Sequence, residues 1–477
     1  MLFDAGIRIC KLDMYGKEEN FIELVQRFES SVKTNSPVYF DSEQYEELIE
    51  HYFASQQLDL VKLCIEKALA QYPYSVNFKI FSAQLLASNH NTQKALSLLQ
   101  ELELIEPGNS EIYITRGFIY SQMGLSEQAI ENFKIALPLS EEKDEVYCSI
   151  GVEFLNQQNP NDGVFYFKKA LKVNPKNEFA LNELSLAFDL AGKTDEAIQF
   201  YTKFIDDWPY NHFAWFNLGV NLSKKGKFEQ AIEAYDYCIA IDEKFSSAYF
   251  NKANAFAGLG NYHKAIEIFK ENILLEEPEA TTFYYIGECY ENLSDFDHAL
   301  LYYNKAIKAD PNYADAWLAI GIVLENQNRI TEGIHYVKKA IEINPAESEY
   351  WYVFGEIQQK LGFHEEAIEA FSNVLQLGYE HHDIYLDYSS VLMEGGYSKE
   401  AFRILNEGIT KFENCAELHY RMSAIQAEAG NNQEAMSYLQ NALTLDYEKH
   451  NELFEYLPSL RQNLQFRDII NSFRKKD

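Results

Sequence analysis

Thirty-four residues separate Phe283 from Trp317, and twice that distance separates Trp215 from Phe283. The stretches these residues open, WFNLGVNLSKKGKFEQAIEAY, FYYIGECYENLSDFDHALLYY and WLAIGIVLENQNRITEGIHYV, share one spacing of large, small and glycine residues. A period of this length restricts the chain to stacked supersecondary units, each burying a face against its neighbours. A 34-residue frame laid from Ser42 reaches Lys449 with no gap. It yields twelve repeats starting at 42, 76, 110, 144, 178, 212, 246, 280, 314, 348, 382 and 416.

Position within the frame carries the physics. Slots 4, 7, 8 and 11 follow the i, i+3, i+4, i+7 rule and stripe one face of a first helix, as in Trp215, Leu218, Gly219 and Leu222. Slots 20, 24 and 27 stripe a second helix, as in Ala231, Tyr235 and Cys238. Slot 20 is Ala or Gly in eleven of twelve repeats, and slot 8 is mostly Gly, Ala or Ser. Small residues at both slots predict close helix approach, with Gly287 facing Ala299 in repeat 8. Slot 4 holds three of the four Trp (Trp215, Trp317 and Trp351), and large side chains here, Trp215 and Phe283 included, read as core. Gly124, Gly192, Gly226, Gly260, Gly362, Gly396 and Gly430 share the turn slot between the helices. Pro73, Pro107, Pro175, Pro209, Pro311 and Pro345 share slot 32, where proline stops the second helix.

This pattern resembles the tetratricopeptide repeat, and the resemblance covers 408 of 477 residues. It implies an all-α fold, a right-handed α-solenoid superhelix of antiparallel helix pairs. The expected organisation is an N-terminal capping segment with one amphipathic helix (1–41), twelve repeats (42–449) and degenerate C-terminal capping helices (450–477). In the first segment, residues 17–33 place Phe21, Leu24, Val25 and Phe28 on one face and stop before Ser36-Pro37. Asp41 with Gln44 fits a capping box. Asn451–Leu457 and Leu464–Phe473 read as the closing helices, interrupted at Pro458; residues 1–16 carry no assignment.

Composition excludes several functions. Lys+Arg total 41 against 73 Asp+Glu, a formal charge of −32 that repels phosphate backbones and anionic membranes. Nucleic acid and membrane are therefore not expected partners. No apolar run reaches membrane-spanning length, and Asp4 stands where an export signal carries positive charge. The six cysteines are at least 51 residues apart, which excludes paired metal-binding spacings. They read as reduced core thiols of a cytoplasmic protein, with Cys148 at slot 5 facing the groove.

No nucleotide-binding, metalloprotease, hydrolase or EF-hand motif occurs, so no enzyme, cofactor or metal is expected. Gly258-Leu259-Gly260 is an interhelical turn. Glu380-His381-His382-Asp383 reads as a solvated loop, because adjacent residues rarely converge on one ion.

The resemblance implies that first helices line a concave face, with slots 2, 5, 6, 9, 12 and 13 pointing into it. Through repeats 5 to 8 these slots offer Phe179, Asn182, Phe213, Phe216, Asn217, Phe250, Asn251, Asn254, Tyr284 and Tyr285; Leu318 and Tyr352 continue slot 5. The groove turns acidic further on, at Glu288, Glu291, Asp315, Glu325, Glu349 and Glu356. Asn217 and Asn251 resemble a backbone-gripping asparagine ladder found in the family. No slot 5 holds Lys or Arg, so a clamp for acidic chaperone tails is disfavoured. The expected function is a protein-interaction scaffold taking a basic, apolar peptide or helix along these residues. The rival is a structural subunit of a fixed or self-associated assembly, with the aromatic stripe buried.

Overall fold

The computed structural model describes residues 18–34, 38–276 and 279–474. Residues 1–16, with Cys10, and the Ser36-Pro37 break lie outside the described residues. Among those described, every regular element is a helix. First helices begin at Ser42, Val76, Ser110, Lys143, Glu178, His212, Ser246, Ala280, Ala314, Ser348, Asp383 and Ala416. Second helices begin at Leu58, Thr92, Ser126, Pro160, Thr194, Phe228, Tyr262, Phe296, Ile330, His364, Ser398 and Asn432, always slot 17. The chain divides into two compact modules, Met1–Ala248 and Tyr249–Asp477, each an all-α solenoid of helix pairs.

The interhelical turn needs a left-handed residue, and all twelve repeats supply one at slot 15. Seven use glycine. Gln56, His90, Gln158, Ser294 and Asn328 adopt the same conformation, with φ between 56° and 61°. A Cβ is disfavoured there, so the geometry is imposed by packing of the two flanking helices.

The tight helix pairing has a further component beside the expected approach of slots 8 and 20. A Cβ on Gly287 would meet the Tyr303 ring at 2.6 Å. The same ring-on-glycine contact recurs at Gly117 with Phe133, Gly151 with Phe167, Gly219 with Tyr235 and Gly355 with Phe371. The slot-8 glycine is thus a seat for the aromatic at slot 24, and slot 20 approaches it as well: a Cβ on Gly163 would lie 3.5 Å from the Gly151 carbonyl oxygen. Those five rings are at most 1% exposed. In repeat 9 slot 24 holds the smaller Val337, and there slots 8 and 20 come closer: a Cβ on Gly333 would lie 2.7 Å from the Gly321 carbonyl oxygen.

The slot-4 tryptophans are not core. Each is partly exposed and donates its indole N–H to the slot-32 proline carbonyl of the preceding repeat: Trp215 to Pro209 at 2.8 Å, Trp317 to Pro311 at 3.0 Å, Trp351 to Pro345 at 2.9 Å. Proline ends the second helix and leaves carbonyls unsatisfied; the next repeat's indole satisfies one. Phe283, also partly exposed, packs beside Tyr302.

At the N-terminus, Glu18–Thr34 is helical and buries Leu24 and Phe28 against repeat 1. Asp41 and Gln44 form the capping box. At the far end Leu453, Leu460, Phe466 and Ile470 close the core of repeat 12. No described helix is long and apolar enough to cross a membrane.

Candidate partner-binding clefts

Two clefts stand out, one in each module. The larger, about 700 Å³, is lined chiefly by the first helices of repeats 1 to 4 and reaches Phe179. Its lining comes mainly from slots 2, 5, 6, 9 and 12. These are slots expected to face the groove, here in repeats 1 to 4, whereas the expected groove residues begin at repeat 5. Ile80, Ile114, Phe118 and Val152 give it an apolar floor. Carboxylates crowd it: Glu46, Glu50, Glu111, Glu142, Asp144, Glu145, Glu153 and Glu178 are lining residues, with Lys176 the one cation among the described lining residues. Asp144 is held by the side-chain amides of Asn174 (2.7 Å) and Asn177 (2.9 Å). Cys148 also lines the cleft but is buried, and burial together with Asp144 and Glu145 pushes its thiol well above the ordinary range. That opposes thiolate chemistry.

The second cleft, about 470 Å³, gathers six residues expected from sequence: Tyr284, Glu288, Glu291, Asp315, Leu318 and Glu349. No Lys or Arg lines it. Burial raises the carboxyls of Glu288 and Glu291 above the usual range, and Glu291 raises Glu288 further. Nearby, burial raises Glu356 and Asp387 in the same sense. Tyrosines donate to several of these acids: Tyr303 to Glu291 at 2.6 Å, Tyr350 to Asp315 at 2.5 Å, and Tyr352 to Asp387. Lys360 pairs with Glu325, which is therefore not an open groove charge.

The aromatic stripe is largely occupied from within. Phe213 and Phe216 lie half-buried against Phe245, at 5.3 and 5.1 Å between ring centres. Tyr284 meets Tyr313 at 5.4 Å, and Tyr352 stacks on Tyr379 at 5.4 Å. Phe250 packs on Phe269 and Tyr285. A ring from the inter-repeat loop or the same module thus covers each slot-5 anchor. Asn217 is 4% exposed and its amide reaches the Leu181 carbonyl, so it braces neighbouring repeats and is not presented to a ligand. Leu318 is likewise buried in the core of repeat 9. Phe179, Asn182, Asp315 and Glu349 are exposed; Asn251, Asn254 and Glu356 are partly so.

Potential metal ligands do approach one another across repeats 10 to 12. His381, His382 and Asp383 form one group, and His382, Cys415 and Glu417 another, with ligand atoms within 4.8 Å in each. Glu417 is also paired to Lys449, and burial pushes the Cys415 thiol up to about 11.

Family models described as tetratricopeptide repeat match residues 110–142, 148–212, 212–245, 246–277, 280–313 and 302–335. A model of anaphase-promoting complex subunit 5 matches residues 353–394. No curated protein sequence matches the chain. Among solved structures, a chain of the APC/C hetero-tetramer Cut9–Hcn1 is similar over 95% of this chain and 99% of its own, at 13% identity and TM-score 0.39. The C-terminal part of a TPR repeat-containing protein from Cytophaga hutchinsonii covers 53% of this chain and 98% of its own, at 18% identity and TM-score 0.42. YrrB, titled a TPR protein with an unusual peptide-binding site, covers 38% of this chain and 93% of its own, at 22% identity and TM-score 0.31.

Proposed function

The chain is a tetratricopeptide-repeat protein, and from that premise we propose that it is a non-enzymatic scaffold whose N-terminal module binds a basic, partly apolar peptide or helix. The observation that carries this reading is the cleft of about 700 Å³ with its apolar floor and carboxylate surround. An apolar floor supplies burial, and a surround of one charge sign selects a partner of the other. In the C-terminal module, Tyr284, Glu288, Glu291, Asp315 and Glu349 offer a second, smaller acidic surface for the same class of partner. The buried, unpaired state of Cys64, Cys148, Cys238 and Cys289 supports work in a reducing compartment such as the cytoplasm.

The test is equilibrium binding of fluorescent basic amphipathic peptides to the full chain. Ile114→Ala should weaken binding by about 1–3 kcal/mol, as truncated anchors do. Association should slow steeply as salt rises. Salt-indifferent binding, or preference for acidic peptides, overturns the reading. A second reading, a fixed subunit of a larger assembly, is favoured by the subunit 5 match over residues 353–394 and by the internally covered aromatics of slot 5. A stable oligomer at high dilution would support it.

A further inference from the structure

The repeats act as controls for one another. Slot 10 lies on the inward side of the first helix, and nine of twelve repeats place an apolar residue there, Ile119, Val323 and Ile357 among them. All nine are at most 9% exposed. The exceptions are His51, Glu153 and Asn221. His51 is half-buried, edge-on to Phe21 of the N-terminal helix. Asn221 donates its amide to the Asn217 carbonyl one turn back. Glu153 is a carboxylate in a core slot, 2% exposed.

Burying a carboxylate is costly unless both oxygens are compensated. For Glu153 only one is. Its Oε1 accepts from the Ser121 hydroxyl at 2.5 Å and from the Asn156 amide at 3.2 Å. Its Oε2 is buried with no hydrogen-bond partner among the described residues. Glu153 is also a lining residue of the N-terminal cleft. An apolar residue would satisfy the repeat's packing, and the bonds the acid makes, including the one from Ser121 of the neighbouring repeat, use Oε1 alone.

We propose that Glu153 is the receptor for one cationic side chain, Lys or Arg, of the partner held in the N-terminal cleft. The proposal rests on the scaffold reading above and sharpens it from general charge preference to a single buried ion pair. Ser121 and Asn156 fix the carboxylate through Oε1 and leave Oε2 for the incoming donor. The apolar floor takes the flanking residues.

The experiment uses the full chain with four labelled peptide pools. The pools have identical randomised apolar flanks and differ only at the fixed central residue: Arg, Lys, citrulline or norleucine. The cationic pools should bind wild type at least about tenfold more tightly than the neutral ones, as expected for a buried charge-assisted hydrogen bond. In Glu153→Gln and Glu153→Leu that gap should close. Glu153→Leu should melt at or above wild type, because leucine suits the slot. Should the leucine variant fold poorly, Glu153→Gln still decides, since it keeps an oxygen for Ser121 and Asn156 while removing the charge. If wild type binds all four pools equally and Ile114→Ala still weakens them, the anchor is wrong and the cleft reading stands. If no pool binds wild type, both fall.

Discussion

The two modules carry almost the same net charge and use it differently. Met1–Ala248 holds 22 Lys+Arg and 37 Asp+Glu; Tyr249–Asp477 holds 19 and 36. In the C-terminal module, acids are tied to the next repeat by donors 35 residues away. Tyr350 binds Asp315, Tyr352 binds Asp387 and Lys360 pairs with Glu325. One repeat plus one residue is the spacing that joins a slot to the following slot in the next first helix. Among the described residues the N-terminal module has one such charged rung, Lys224 with Asp189. Its cleft instead keeps a buried carboxylate with one oxygen unbonded. The difference teaches that the spacing at which carboxylates find their partners, rather than total charge, sets the modules apart: N-terminal acids are tied at other offsets, Asp144 to Asn174 and Asn177 and Glu196 to Lys168.

The strongest way to break this comparison is to attack what the modules share. Tyr303→Ala and Phe133→Ala each empty the seat over a slot-8 glycine, and each should cost about 3–5 kcal/mol. Hydrogen exchange should show opening of repeats 8 and 3 respectively before distant repeats respond. Confined effects of equal size in both modules sustain the shared core; an effect in only one would dissolve it. Next in size, Tyr352→Phe removes the donor to a partly buried Asp387 and should cost about 1–3 kcal/mol, read as faster exchange in repeats 10 and 11. No change there would mean that the 35-residue rungs are decoration. A smaller gain is expected from Gln158→Gly and Ser294→Gly, one in each module, because glycine removes the left-handed penalty. Each should stabilise its repeat by about 0.5–1 kcal/mol, less than the full penalty because glycine costs chain entropy.

The smallest effect per group is pH dependence. Glu288, Glu291, Glu356 and Asp387 have folded-state pKa values raised by burial, so protonation favours the folded form. Their penalty is full above the raised values and fades as pH falls toward the ordinary carboxylate range. Exchange in repeats 8 to 11 should therefore slow on moving from pH 7 toward 5, after correction for the intrinsic rate. The N-terminal repeats, where Glu183 has a raised carboxyl but Glu196 a lowered one beside Lys168, should change less. Equal responses would erase the electrostatic distinction.

The period and the helix pairs were legible because each recurs twelve times. What escaped was any feature a single repeat owns. The turn conformation was visible at Gly226 but not at Gln158 or Asn328, whose side chains do not announce a positive φ. The ring seated on the slot-8 glycine escaped because slot 20 is also small and drew the pairing; its signal was an aromatic at slot 24 wherever slot 8 is Gly, Val337 excepted. The aromatic stripe drew attention to repeats 5 to 8, where Phe245 and Tyr313 from the loops cover it. The larger cleft lies where slot 5 reads Glu46, Ile80, Ile114 and Cys148, a less conspicuous series. Glu153 was legible in principle, as a charged residue in a slot that is otherwise mostly apolar.

The indole-to-proline bonds turn this chain into its own optical instrument. Trp215 reports the join between repeats 5 and 6, Trp317 that between 8 and 9, and Trp351 that between 9 and 10. Each fluorophore sits on a junction, so emission follows parting of adjacent repeats before loss of helix. With Trp208 replaced, a variant keeping one indole at a time would map where unzipping starts, repeat by repeat, without an added dye.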